Sequence, residues 1–195
     1  MKGGEIEAFE GCIAAGGVVL FPADTVYGLA CEPEDEAAVW RLYELKGRPP
    51  DQPAAVMFFD SEQALRALPE LGARTLAAAR RLLPGAVTAL LPNPACRFAL
   101  AGGGETLGLR VPAMTGPGRP LLQSSANASG DADARRLADV PTELRESADL
   151  VIDGGELPGT PSTVVDLTAY EAGGAWRIVR QGAVAADAVA RALVT

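Results

Sequence analysis

The sequence predicts an α/β domain with a substantially mixed or parallel sheet. Short β-type apolar runs alternate along the chain with stretches of helical spacing, and no internal repeat or domain-separating linker interrupts them. At 195 residues the chain fits one domain that can bury most of its unfolded surface.

The elements follow in order. Gly17-Val18-Val19-Leu20-Phe21 reads as a buried strand that stops at Pro22. Over residues 34–46, Ala38, Val39, Leu42 and Leu45 recur at helical spacing. Residues 54–59 form a second apolar strand, and 61–68 and 73–83 read as helices, the latter closed by Pro84-Gly85. Further strands are predicted at 86–91, 106–111, 120–124, 150–153, 163–167 and 176–179, with a closing helix over 185–194. Two loops stand out, the flexible Ala101-Gly102-Gly103-Gly104 connection and the turn-rich segment 154–161. The triple glycine lacks the Gly-Lys-Ser/Thr ending of a nucleotide-binding P-loop, and no helix clearly follows it.

Composition narrows the chemistry. Apolar residues make up 48% and charged residues 22%, an ordinary globular balance, and the net charge is −8. An acidic whole disfavours indiscriminate binding to nucleic acid or anionic membrane, so any polyanion must meet a locally basic pocket. There is no histidine. A Ser-His-Asp or Cys-His nucleophile and an imidazole-bound zinc are therefore excluded, and acid–base work falls to carboxylates, lysine or the substrate. Cys12, Cys31 and Cys96 are far apart with no CxxC pair, and read as reduced, partly buried thiols. Residues 1–11 carry Glu5, Glu7 and Glu10 and no signal-peptide core, and no apolar stretch is long enough to span a bilayer; the expectation is a cytoplasmic protein.

Four segments carry polar chemistry. Phe21-Pro22-Ala23-Asp24-Thr25-Val26-Tyr27-Gly28-Leu29 reads as a strand end and turn, offering Asp24 and Thr25 either as caps or to a ligand beyond the sheet. Lys46-Gly47-Arg48-Pro49-Pro50 presents two cations on a stiff connection, suited to a helix C-terminus or to a phosphate clamp. Arg110 and Arg180, at strand ends, can join them. Gln123-Ser124-Ser125-Ala126-Asn127-Ala128-Ser129-Gly130 and Pro161-Ser162-Thr163-Val164-Val165-Asp166 supply hydroxyls and amides that either cap elements or orient an anion.

Taken in order, these segments resemble the YrdC-type threonylcarbamoyl-AMP synthase family. The resemblance runs from Gly16-Gly17-Val18 to Arg180-Gln181-Gly182-Ala183. It includes Asp24-Thr25-Val26-Tyr27-Gly28-Leu29, Lys46-x-Arg48, Leu83-Pro84-Gly85 with Thr88, and Leu109-Arg110-Val111-Pro112. It continues through Ser125-Ala126-Asn127-x-Ser129-Gly130 and Ser162-Thr163-Val164-Val165-Asp166. The pairing of Lys-x-Arg with Ser-x-Asn is its most specific part.

The resemblance implies a single YrdC/RibB-like domain over residues 1–195, with a twisted mixed sheet around a concave, positively charged groove. It implies a nucleotidyltransferase that joins L-threonine, bicarbonate or CO2, and ATP into threonylcarbamoyl-AMP and pyrophosphate, opening the modification of tRNA to threonylcarbamoyladenosine. Lys46, Arg48, Ser125 and Asn127 would carry the catalytic roles. Gln52, Thr106 and Arg180 would join them around ATP, and Thr25, Arg110 and Ser162 would hold L-threonine. Mg2+ would arrive with ATP rather than on a dedicated set of protein ligands. The implied partners are a downstream tRNA threonylcarbamoyl-transfer complex and a weak contact with tRNA or double-stranded RNA, with no membrane.

The chain departs from the family pattern at Ala23 (usually Thr), Gln52-Pro53-Ala54 (Asn-Pro-Leu), Met57 (His) and Ser124 (Pro). Gln52 keeps an amide; Met57 cannot replace a histidine's hydrogen bonds. Two other readings stay open on these residues: a related carbamoyl-adenylate enzyme with another acceptor, and a non-catalytic RNA-binding module.

Overall fold

Strand alternation explains the architecture. The computed structural model describes residues 1–49, 52–128 and 130–194; Pro50 and Ser129 of the motifs above lie outside the described residues. Among these, nine strands form one mixed sheet in the order β7-β1-β2-β6-β3-β5-β4-β8-β9. The strands are β1 (Val19–Pro22), β2 (Tyr27–Cys31), β3 (Ala55–Met57), β4 (Val87–Pro92), β5 (Thr106–Arg110), β6 (Leu121–Ser125), β7 (Leu150–Val151), β8 (Thr163–Asp166) and β9 (Arg177–Arg180). Pairs β1/β7, β3/β5 and β4/β8 are parallel and the remaining five antiparallel. The helices are α1 (Gly3–Ala14), α2 (Glu36–Leu45), α3 (Ser61–Arg66), α4 (Ala73–Leu82), α5 (Thr142–Ser147), α6 (Tyr170–Gly173) and α7 (Ala186–Val194).

Successive side chains of a strand point to opposite faces of the sheet. On one face Leu20, Leu29, Val56, Leu109, Leu122 and Val165 pack with apolar residues of α2, α4 and α7 in the main core. On the other face Val19, Phe21, Ala30, Met57 and Leu121 meet Phe9 and Ile13 of α1. Phe9 and Phe21 stand edge to face at 5.2 Å, an arrangement that adds about 1 kcal/mol to their burial. Helix α1 covers only this end of the second face. The part beyond it, over β3, β5, β4 and β8, is the floor of a cleft.

Four elements differ from the sequence expectation. Helix α1 was not predicted, because its apolar residues are thinly spaced among glycines and glutamates; Phe9 and Ile13, four apart, anchor it. The sequence places residues 27–29 in a turn, but they belong to β2, with every residue of that strand buried. β1 itself ends at Pro22, as its sequence predicts, with Pro22 still paired with Tyr27. The short helices α5 and α6 also went unpredicted. The Gly102–Gly104 stretch joins antiparallel β4 and β5. Gly102 and Gly104 have φ of 82° and 57°, and a Cβ on Gly103 would sit 1.9 Å from the Thr106 carbonyl oxygen, so backbone geometry alone accounts for these glycines.

Among the described residues no helix is long and apolar enough to cross a membrane. The three cysteines are free, with Cys31 buried and its pKa pushed up to about 12, chiefly by burial; Cys96, expected partly buried, is exposed.

Candidate active site

Register builds the cleft floor. Arg180, Val164, Thr88, Arg110 and Met57 are successive partners across β9, β8, β4, β5 and β3, so their side chains leave the same face in one row. The neighbouring row carries Leu90, Gly108, Ala55 and Gln123. Eight of these nine residues, with Thr25, Arg48, Ser124, Ser125, Asp133 and Ser162 at the rim, line a cavity of about 230 Å3. The exception is Met57, which is fully buried beneath α1. Three arginines therefore face one cavity with one aspartate among its lining residues.

Each cation is held differently. Arg110 is 3% exposed; its Nη2 pairs with Asp24 and donates to Thr25 Oγ1 at 3.1 Å. Burial lowers its pKa, Asp24 opposes that shift, and Arg180 adds to it; a guanidinium stays charged throughout. Arg180 is exposed, and its Nη2 donates to Ser162 O at 2.8 Å. Arg48 is half-buried. Its Nε donates to Gln52 O at 3.1 Å, Nη1 to Ser124 Oγ at 3.2 Å and Nη2 to Pro53 O, while its guanidinium lies 5.8 Å from the Tyr43 ring.

Hydroxyls are equally ordered. Thr88 Oγ1 and Ser162 Oγ are 2.8 Å apart in a buried hydrogen bond linking β4 to the start of β8. Ser125 Oγ donates to Asn127 Oδ1 at 2.5 Å, and Asn127 Nδ2 donates to Asp131 O at 2.6 Å.

The structure thus brings Thr25, Arg48, Arg110, Ser125, Ser162 and Arg180 to one cavity. Lys46, Gln52, Thr106 and Asn127 are not among its lining residues. Lys46 is buried behind the wall, its Nζ donating to Ser125 O, to Asn127 O at 2.9 Å and to Asn127 Oδ1 at 3.2 Å. Gln52 is exposed beside Arg48. Thr106 opens β5 on the same face as Gly108 and Arg110, two residues beyond the cavity's edge.

A model of the Sua5/YciO/YrdC family, described as telomere recombination, matches residues 11–182. The chain belongs to this family. A threonylcarbamoyl-AMP synthase of Pyrococcus abyssi is 34% identical over 175 residues, covering 85% of this chain and 52% of that protein. A threonylcarbamoyl-AMP synthase of Halorhodospira halophila is 35% identical over 148 residues, covering 71% of this chain and 77% of that one. The P. abyssi Sua5 structure complexed with L-threonine superposes with a TM-score of 0.84 at 31% identity, over 98% of this chain and 58% of that one. The chain spans about half the length of the Pyrococcus relative.

Within this Sua5/YciO/YrdC site, sequence reasoning gave no role to Tyr43 or Asp133, and Gln123 entered only as part of the polar segment 123–130. Gln123 carried a usable signal, since it is the polar residue of an otherwise apolar strand start. Tyr43 reaches the site through its contact with Arg48, five positions on, and Asp133 lines the cavity from the loop that follows β6.

Proposed function

We propose that this chain is a threonylcarbamoyl-AMP synthase, joining L-threonine, bicarbonate or CO2, and ATP into threonylcarbamoyl-AMP and pyrophosphate, as the first step towards threonylcarbamoyladenosine in tRNA. The observation that carries the reading is the gathering of Arg48, Arg110 and Arg180 with Thr25, Ser125 and Ser162 around one cavity of an otherwise acidic chain. The names of the relatives and the threonine bound by the Pyrococcus neighbour support it. Against Asp133 and the Asp24 that pairs with Arg110, three arginines leave a positive balance, the setting a triphosphate and a carboxylate need.

The reaction asks for placement rather than a protein nucleophile. The threonine amine adds to CO2 and loses a proton to give a carbamate. A carbamate oxygen then forms a bond to the α-phosphorus of ATP as the bond to pyrophosphate breaks, with both oxygens in line. Such transfers are accelerated by orientation and by neutralising charge on the phosphoryl oxygens. In this reading Arg48 and Arg180 face the nucleotide, Gln52 and Thr106 flank it, and Arg110 with Thr25 and Ser162 receives threonine's carboxylate and hydroxyl. The enzyme class is a nucleotidyltransferase acting in the cytoplasm, handing its product to a tRNA-modifying complex.

The cavity also fits an ion carried by the nucleotide. Asp133 and the Ser125 hydroxyl oxygen supply hard oxygen donors at its rim, matching magnesium that keeps most of its ligands on phosphate and water. Bound there, magnesium would neutralise charge on the departing pyrophosphate.

The test is direct. The chain is incubated with Mg-ATP, bicarbonate and L-threonine while pyrophosphate release is followed and the adenylate identified by mass. Threonine-dependent release supports the assignment. Release only with a different acceptor, or no release together with tight RNA binding, overturns it.

A further inference from the structure

We infer that Lys46 is a positioning residue, which acts on the nucleotide through Ser125 and Asn127 instead of touching its phosphates. The inference deepens the proposed function and rests on it for the identity of the substrate.

An ammonium group has three N–H donors and no acceptor. Lys46 Nζ has three acceptors within reach, Ser125 O, Asn127 O and Asn127 Oδ1, and all three are protein atoms. The residue is 3% exposed and is not among the residues lining the cavity, whereas Arg48, two positions later, is. Turning Lys46 towards a phosphate would strip the hydrogen bonds from its carbonyl partners around Asn127, which is itself buried.

The same contacts give Lys46 a function. Asn127 Oδ1 accepts from both Lys46 Nζ and Ser125 Oγ, which fixes the amide orientation and commits the Ser125 proton. Ser125 therefore turns its free lone pairs outward, at the cavity rim. Asn127 Nδ2 on Asp131 O and Ala126 N–H on Tyr27 O, at 2.8 Å, hold the segment from two further sides. Lys46, at the C-terminal cap of α2, closes this frame from behind. Ser125, at the end of β6, can then present a fixed hydroxyl at the cavity rim, with Asn127 holding it from behind.

The chain offers an unusually clean test, because Lys2 and Lys46 are its only lysines. The wild-type protein is treated with acetic anhydride at about pH 8.5 and the extent of acetylation at each amine read by mass spectrometry, with and without saturating Mg-ATP. Lys46 is expected to react at least about tenfold more slowly than Lys2, since only local opening exposes it, and equally slowly in both conditions. Reaction at the rate of Lys2, or slowing by Mg-ATP, overturns the inference.

A kinetic cycle tests the route of action. Lys46→Met is expected to raise KM for ATP by about tenfold, with KM for threonine unchanged, and adding Ser125→Ala to it should cost less than about twofold more. Losses that multiply would mean that the two side chains act separately, which overturns it. If the wild-type protein releases no pyrophosphate with threonine, the synthase reading falls, while the acetylation pattern still decides how Lys46 is placed.

Discussion

Asp24 and Arg110 form a largely buried ion pair at the cavity wall, with side chains 14% and 3% exposed. Asp24 leaves the turn after β1 and Arg110 ends β5, so the pair ties two strands that are not neighbours in the sheet. Arg110 Nη2 also donates to Thr25 Oγ1, and Nη1 donates to Val87 O at 3.5 Å. Removing one partner leaves a buried charge without its counter-ion. Asp24→Ala is expected to lower unfolding free energy by about 3 kcal/mol, measured by urea denaturation. A loss below about 1 kcal/mol would show that solvent reaches the guanidinium and the pair is not buried in solution.

Among the described residues Arg48 makes no buried ion pair, and its contacts there are to carbonyls, Ser124 Oγ and the Tyr43 ring. Arg48→Ala should therefore leave the fold cooperative while threonine-dependent pyrophosphate release drops about a hundredfold, the usual effect of losing a donor aimed at developing charge. Retained synthesis would show that this arginine faces something other than the phosphates.

The Thr88–Ser162 hydrogen bond predicts a coupled pair. Thr88→Val leaves the Ser162 hydroxyl without its 2.8 Å partner, and Ser162→Ala does the reverse to Thr88. Each single change should cost about 1–2 kcal/mol, whereas the double variant should cost less than their sum. Additive losses in a double-mutant cycle would mean that the two oxygens do not depend on each other.

Lys46 gives opposite pH trends for activity and stability. Burial, the first cause, and Arg48 bring its pKa down to about 8, with Asp133 opposing them. Between pH 8 and the ordinary lysine value of 10.5 the unfolded chain holds more protons, so this residue makes stability rise with pH across that window. Activity should fall over the same window, because a neutral amine cannot donate to all three acceptors. The pH–rate profile and denaturation midpoints on one protein check both signs; activity holding level up to pH 10.5 would show that the ammonium charge does not matter.

Much of the fold was legible because local pattern and tertiary packing agree. The strands at residues 55–57, 87–92, 106–110 and 163–166 lie where apolar runs predicted them, and α2 and α4 follow their apolar spacing. The failures have physical causes. Helix α1 has only Phe9 and Ile13 buried, too sparse a stripe to register, and it forms because the second face of β1 needs covering. Strand β2 looked like a turn because Gly28 sits within it; there Gly28 partners Ser125, and a Cβ would come within 2.9 Å of Gln123.

The sequence alone determined the α/β class, the chemistry that the lack of histidine excludes, and the set of polar motifs from which the family could be recognised. Only the tertiary structure decided how those residues divide. Lys46 and Arg48 are two positions apart, yet one is locked against carbonyls behind the wall and the other faces the cavity. Met57 shares a register row with Arg110 but is taken into the core by α1. Local spacing fixes which side of an element a residue leaves from; what it meets there depends on segments far away in the chain, and those contacts do not exist until the sheet has closed.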